Sequence, residues 1–329
     1  MYVAMMLAVE HSIPSASGIL REILPLYGLE QLDLNCRLIK HGSNDTFLLY
    51  NDATKFIFRI YRHQWRTEHD VRNEIEYILH LHAKGLKVAL PLPTLCGERL
   101  LHLQFPEGTR QAVMFSYASG LPLKGDEFAD FGATCAKLHL ASADFSSAHS
   151  RFPLDAEHLL VEPLHYIRPF LTERPDDWQW LQRIAQEFRD RLASPEHAGL
   201  EWGMCHGDLH PGNMHSDGGE LVFFDFDCGG PSWRAYDLAV YLSILANDGG
   251  DEKSIQPWRT FITGYQTVKP LRDIDLKAIP LFVVVRQIWL MGYHTHGSRT
   301  WGSDWLHDDY FDEHISFLKR WIEEHELLG

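Results

Sequence analysis

No apolar run in this sequence is long enough to cross a bilayer. The longest near the C-terminus, Leu281 to Met291, is broken by Arg286 and falls far short of the roughly 20 residues a spanning helix needs. Paired cysteines are missing as well: Cys36, Cys96, Cys135, Cys205 and Cys228 are scattered, odd in number and form no C-x-x-C. That excludes a zinc site built on cysteine and predicts reduced thiols in a cytoplasmic protein. Positive charge is scarce, with 30 Lys and Arg against 45 Asp and Glu for a net charge of -15. Such a chain is a poor partner for nucleic acid or an anionic membrane, and its field favours a cationic or amine-bearing partner. The start, MYVAMMLAVEH, has no positive residue before its short apolar run and an acid after it, so it reads as an ordinary N-terminus rather than a secretory signal. There is no internal repeat and no low-complexity segment.

What is present is organised around Met204 to Asp227, MCHGDLHPGNMHSDGGELVFFDFD. Its apolar run Leu221 to Phe224 is too short for a helix and predicts a buried strand that delivers Asp225. Gly207, Pro211 and Gly212 predict a loop carrying Asp208 and Asn213. A hairpin of this kind gathers Asp208, Asn213 and Asp225 around one point. Carboxylate and amide oxygens are hard ligands suited to Mg²⁺, and a metal-bound phosphate beside a spare carboxylate is a phosphoryl-transfer site.

The Asp208 to Asn213 spacing equals that of the protein-kinase catalytic loop H-R-D-x-x-x-x-N, with Gly207 in place of Arg, and Asp225-Phe226-Asp227 stands where kinases have DFG. With HGD-x-x-x-x-N followed by D-x-D, the sequence resembles the aminoglycoside phosphotransferase and choline kinase-like family. FRIYR (residues 58–62), Trp65 and the tail look most like its homoserine kinase type II and RdoA-type stress response kinase branches. The resemblance implies an α+β, two-lobed protein-kinase-like fold. Residues 1–117 would form an antiparallel sheet plus helix, and 118–329 a mainly helical lobe with the catalytic loop and acceptor pocket.

The pattern of the first part agrees. Strand-like runs Cys36 to His41, Thr46 to Tyr50 and Lys55 to Tyr61 alternate with turn residues, after a helix over Ser15 to Tyr27 that Pro25 weakens. A helix over Glu68 to Ala83 and strands Arg99 to Phe105 and Gln111 to Tyr117 follow, and Met114 to Gly120 is expected to leave the sheet as a linker. In KFIFRIYR, Phe56, Phe58 and Ile60 share a core face and Arg59 lies on the other. Helices over Asp126 to Leu140 and Asp177 to Leu192, one opening at Tyr236, and a helical tail from Ile262 complete the second part. His139 reads as packing or surface.

By resemblance, ATP with Mg²⁺ is the cofactor and Asp208 the catalytic acid-base residue, with Asn213 and Asp225 on the metal. Arg59 takes the place of the phosphate-contacting lysine, paired with Glu74 on the helix. Gly42, Ser43 and Asn44 would cover phosphates, and Phe115 and Tyr117 would flank the adenine at the linker. His206, Asp227 and Asp237 would support the loop, and Asp304, Asp308 and Asp309 would meet an amine. Only eleven residues separate Asp225 from Asp237, too few for the activation segment of regulated protein kinases. The acceptor expected is therefore the hydroxyl of a small, amine-bearing molecule, homoserine-like or aminoglycoside-like, with an RdoA-like Ser/Thr protein kinase as the alternative. A non-catalytic nucleotide-binding module and a binuclear metal hydrolase using His206, Asp208, His210 and the Asp225/Asp227 pair are weaker alternatives.

Overall fold

Asn51 shows how turn chemistry shapes the first part of the chain. Its side-chain oxygen accepts from the backbone N–H groups of Ala53 and Thr54, each at 2.9 Å, and so reverses the chain between two strands. In the computed structural model, which describes residues 7–247 and 252–328, helix α1 (Ala16–Glu22) is capped by the Ser15 hydroxyl. A separate 3-10 turn, Leu24–Tyr27, follows it. The single helix expected to reach Tyr27 is thus divided, because Pro25 has no N–H to continue an α-helical ladder.

Strands β1 (Asn35–His41), β2 (Asn44–Tyr50) and β3 (Lys55–Tyr61) form an antiparallel meander. After helix α2 (Glu68–Ala83), strands β4 (Leu101–Phe105) and β5 (Gly108–Ser116) complete a sheet of order β1-β2-β3-β5-β4. Met114, Phe115 and Ser116 pair with Phe58, Ile57 and Phe56, so the expected linker begins later, after Ser116. The strand persists because its alternate faces are both covered, with Met114 and Phe115 buried. One face of β3 packs Phe58 and Ile60 against Ile19, Ile23 and Leu24. On the other, Arg59 and Tyr61 are buried and turn to Glu74 of α2.

Contacts divide the chain into two compact units. The first comprises the chain up to Leu79, Ala89–Ala118 and Ser147–Ser150. The second comprises His80–Val88, Ser119–Ser146 and the chain from Arg151 onward. Sequence alone suggested one boundary near residue 117; the units also exchange two short stretches.

The second unit contains helices α3 (Phe128–Ala141), α4 (Glu162–Ile167) and α5 (Pro175–Ala193), then strands β6 (Trp202–Cys205), β7 (Met214–Asp217), β8 (Glu220–Phe223) and β9 (Gly230–Trp233). Helices α6 (Arg234–Asn247), α7 (Glu252–Val268), α8 (Asp273–Trp301) and α9 (Asp308–Glu324) follow. Phe131, Cys135 and Leu138 of α3, and Leu181, Ile184, Phe188 and Leu192 of α5, are buried at helical spacing. Helices α3 and α7 touch through glycines: a Cβ on Gly132 would lie 1.8 Å from the Phe261 carbonyl oxygen, and one on Gly264 2.0 Å from that of Ala129. Strands β6 and β9 pair, and β7 and β8 form a hairpin, both antiparallel. Among the described residues no helix is long and apolar enough to cross a membrane.

A buried charge cluster ties the first unit's sheet to its N-terminal segment. Asp45 accepts from Arg110 Nη2 at 2.7 Å, and His41 Nδ1 and His11 Nε2 lie at 2.7 and 3.0 Å from its oxygens. Burial would raise the Asp45 carboxyl, but the bonds from His11, Arg110 and His41 outweigh it and hold it at about 2, against an ordinary 3.8. A depressed acid stabilises the fold above its unfolded pKa and loses that contribution as pH falls through the folded one. Asp45→Asn is therefore expected to cost at least about 2 kcal/mol at pH 7. In urea melts the gap to the parent should narrow between about pH 4 and pH 2, where Asp45 itself becomes protonated.

Candidate active site

The loop after β6 is shaped by a glycine and held from beneath by an acid. Gly207 has φ 78°, and a Cβ there would sit 2.1 Å from the Cys228 carbonyl oxygen, so no other residue fits without moving the Phe226–Cys228 turn. Asp237, in the first turn of α6 and fully buried, accepts from the backbone N–H groups of His206 and Gly207, both at 2.8 Å. Its Oδ2 also receives His139 Nε2 at 3.0 Å, while Tyr265 donates its hydroxyl to His139 Nδ1 at 2.8 Å. Burial, then the charge of Arg234, brings His139 down to about 4, so the imidazole is neutral. Burial pushes the Asp237 carboxyl up, but the His139 bond and its neighbours more than reverse this, leaving an anion.

His206 is also fully buried, and burial depresses its pKa. Its Nε2 donates to the Phe224 carbonyl at 3.1 Å, linking the loop to the end of β8. The Phe224 N–H in turn donates to the Asn213 carbonyl at 3.0 Å. The chain then turns sharply, because Asp225 adopts a left-handed backbone (φ 66°), a conformation Asp tolerates better than most residues. Arg151 fastens the following turn, donating to the carbonyls of Gly229 at 2.6 Å and Asp227 at 2.5 Å.

Asp208 is the most partnered acid of the loop. Asn213 Nδ2 donates to its Oδ2 at 2.9 Å and to its carbonyl at 2.8 Å. His210 Nε2 lies 3.4 Å from Oδ2, and Arg286 Nη2, from α8, donates to Oδ1 at 2.5 Å. Arg286 Nη1 donates to the Gly207 carbonyl at 3.2 Å, and its guanidinium lies over the Trp289 ring at 4.5 Å. Burial alone would raise the Asp208 carboxyl, but the Arg286 charge first, then His210, hold it well below the usual carboxylate range. So stabilised an anion is a weak base. It is better suited to accepting a hydrogen bond than to removing a proton early.

The same bonds test the site for a metal. Asn213 commits its Nδ2 to Asp208, which turns its amide oxygen the other way, and Asp225 follows the residue bonded to the Asn213 backbone. An amide oxygen and a carboxylate are the hard donors a Mg²⁺ ion accepts, so the residues fit.

In the first unit, Arg59 Nη1 donates to Glu74 Oε1 at 3.0 Å, and the Tyr61 hydroxyl donates to Glu74 Oε2 at 3.0 Å. Phe115 lies under the Arg59 guanidinium at 5.1 Å, and Lys55 lies over the Tyr117 ring at 5.2 Å. Gly42, Ser43 and Asn44 make the β1–β2 turn; the latter two side chains are buried, and the Gly42 N–H donates to the Asn44 carbonyl.

The three acids expected to meet an amine are exposed. Asp308 and Asp309 occupy the first turn of α9, where acids favour the helix N-terminus, and their side chains are 85% and 93% exposed. Asp308 faces Arg174, and Asp304 is exposed. The ligand set of a binuclear hydrolase does not form either. Among the described residues, the clusters with metal-ligand spacing are His11, His41, Asp45 and His139, Cys205, Asp237, and neither holds Asp208 or His210.

Arg286, His139 and Arg151 escaped the sequence reading as site residues. Arg286 carried a signal: a charge inside an apolar run is buried only with a partner. His139 and Arg151 carried none, since their partners lie 98 and 76 residues away.

An antiparallel sheet with its helix, a mainly helical second unit, and an Asp/Asn/Asp set on a loop and hairpin define a phosphotransferase of the protein-kinase-like fold. A solved structure of a microcompartment-associated aminopropanol kinase shares that fold with a TM-score of 0.72, at 21% identity, covering 95% of this chain and 99% of that one. An uncharacterized protein of Deinococcus radiodurans is 38% identical over 96% of this chain and 92% of its own. A homoserine kinase of Agrobacterium fabrum is 28% identical over 80% of each. The pattern of the phosphotransferase enzyme family (APH) matches residues 35–274, and the chain belongs to that family. It is a kinase, acting on an alcohol group.

Because Asp237 orders two loop amides at once, Asp237→Asn should turn an amide N–H₂ toward donors and leave at least one unsatisfied. The expected cost is about 1–3 kcal/mol in urea melts. ATP turnover by the folded variant should fall about 10²-fold through misplacement of Asp208.

Proposed function

We propose that this protein transfers the γ-phosphoryl group of ATP, with Mg²⁺, to the hydroxyl of a small amine-bearing acceptor. The observation that carries this reading is the Asn213 Nδ2 bond to Asp208, which leaves the amide oxygen of Asn213 for another partner. The metal, when bound, neutralises charge on the β- and γ-phosphates. Asn213 and Asp225 hold it, and Asp208 aligns the acceptor hydroxyl and receives its proton. Arg59, fixed by Glu74, serves the nucleotide phosphates, and its planar fork suits their oxygens. The β1–β2 turn at Gly42, Ser43 and Asn44 and the strand end at Phe115 and Tyr117 serve the nucleotide within the first unit.

A small acceptor is favoured over a protein one by the stretch between the two acids. Residues 226–233 form a 3-10 turn and β9, which pairs with β6, and α6 begins at once. That stretch has no long segment on which to seat a peptide. Homoserine and aminopropanol, on which the similar proteins act, are both small amino alcohols. They differ in that only the first has a carboxylate.

Two variants separate metal from chemistry. Asp225→Ala should remain folded but lose the thermal stabilisation given by ATP with Mg²⁺; an unchanged shift would remove Asp225 from the metal site. Asp208→Asn keeps the shape without the charge, so it should retain that stabilisation while phosphoryl transfer falls about 10² to 10⁴-fold. Turnover within a few fold of the parent would refute the role given to Asp208.

A further inference from the structure

Arg286 is a buried cation whose bonds leave one edge uncommitted. Its Nη1 serves the Gly207 carbonyl and the Tyr236 hydroxyl, at 3.2 and 3.4 Å, and one Nη2 proton goes to Asp208. Among the described residues, the Nε–H and the second Nη2–H donate to no protein group. Nε and Nη2 form the side-on edge of the guanidinium, whose spacing matches the two oxygens of a carboxylate. The side chain is 7% exposed, so the cation has been desolvated for partners of its own.

Its surroundings offer aromatic rings and neutral imidazoles. Trp289 covers the guanidinium, and Tyr293 stacks on Trp289 with ring centres 5.2 Å apart. His294 is held at about 4 by burial, then by His314 and the Arg286 charge, so it does not compete as a cation. The acids once expected to receive an amine lie at the start of α9 or in solvent. Ring faces attract cations without a carboxylate, so Trp289 and Tyr293 suit an acceptor amine.

We propose that the Nε/Nη2 edge of Arg286 binds a carboxylate on the phosphoryl acceptor, so that the acceptor is a hydroxyl-bearing amino acid rather than a simple amino alcohol. This rests on the phosphotransfer reading of the Asp208 site. The span fits: a hydroxyl bonded to Asp208 and a carboxylate bonded to Arg286 have anchors that already touch at 2.5 Å. Three or four bonds between hydroxyl and carboxylate cover that reach. Bound in this way, the acceptor's carboxylate shares the Arg286 charge with Asp208 and makes the carboxylate of Asp208 more available to the hydroxyl proton.

The test compares acceptors that differ only by the carboxylate: serine with ethanolamine, threonine with 1-aminopropan-2-ol, and homoserine with 3-aminopropan-1-ol. With the full chain, ATP and Mg²⁺, the acid of at least one pair should be preferred in kcat/KM by about tenfold or more, because a site built to bond a group rejects the analogue lacking it. Arg286→Gln should bring that preference to within about twofold, mainly by raising KM for the acid. Arg286→Lys should restore part of it. Transfer to the amino alcohols as good as or better than to the acids would overturn the proposal while leaving phosphotransfer intact, and this comparison needs no variant. A preference that survives Arg286→Gln would also overturn it. Failure to phosphorylate any member of any pair would instead overturn phosphotransfer to small amino alcohols and amino acids, and this inference with it.

Discussion

The catalytic loop depends on one buried anion. Asp237 has no contact with solvent, and a carboxylate in that position is tolerable only if its oxygens are filled by donors. They are filled by two consecutive backbone amides of the loop and by His139, itself fixed by Tyr265. Hydrogen bonds to a charged group are each worth about 1.5–3 kcal/mol, so the loop has little freedom to take another path. The same network explains Gly207. Drawing its N–H down to Asp237 presses the residue against the Cys228 carbonyl, and only a residue without a Cβ survives there.

Above this support the charge balance is tuned for orientation rather than basicity. Asp208 faces a guanidinium, an amide and an imidazole, and the guanidinium is the strongest of these. In a reaction whose transition state is loose, rate comes from alignment and from charge placed beforehand. Asp208, with donors on both oxygens, is held in one orientation, as the proposed reading requires. In the first unit Arg59 is fixed by Glu74, which Tyr61 also binds, so its fork is held in one orientation.

Arg110 and Arg286 show how this chain, acidic overall, uses its few cations. Arg110 lies buried against Asp45 and Glu107 and Arg286 against Asp208, and each also reaches backbone carbonyls or a tyrosine hydroxyl. Losing either partner would strand a charge in the interior, a penalty of several kcal/mol. Net charge describes the surface field, whereas these two positions are governed by local pairing. That is why an acidic composition did not foretell an arginine beside the acidic centre.

Much of this protein was legible from its residues. Alternation in KFIFRIYR placed Phe58 and Ile60 in the core, and helical spacing from Glu68 to Ala83 gave α2 to the residue, because both periods are local properties of the backbone. The order and spacing of Asp208, Asn213 and Asp225, with the apolar run between them, identified the chemistry. The sequence did not determine which distant groups fill the remaining valences: His139 beneath Asp237, Arg151 on the turn after Asp225, Arg286 on Asp208. Nor did it show that Asp308 and Asp309 begin a helix. Periodicity and motif spacing are set by covalent geometry over a few residues, so sequence fixes them. The partner of a buried charge is set by which helix passes within 3 Å, and only the folded chain decides that.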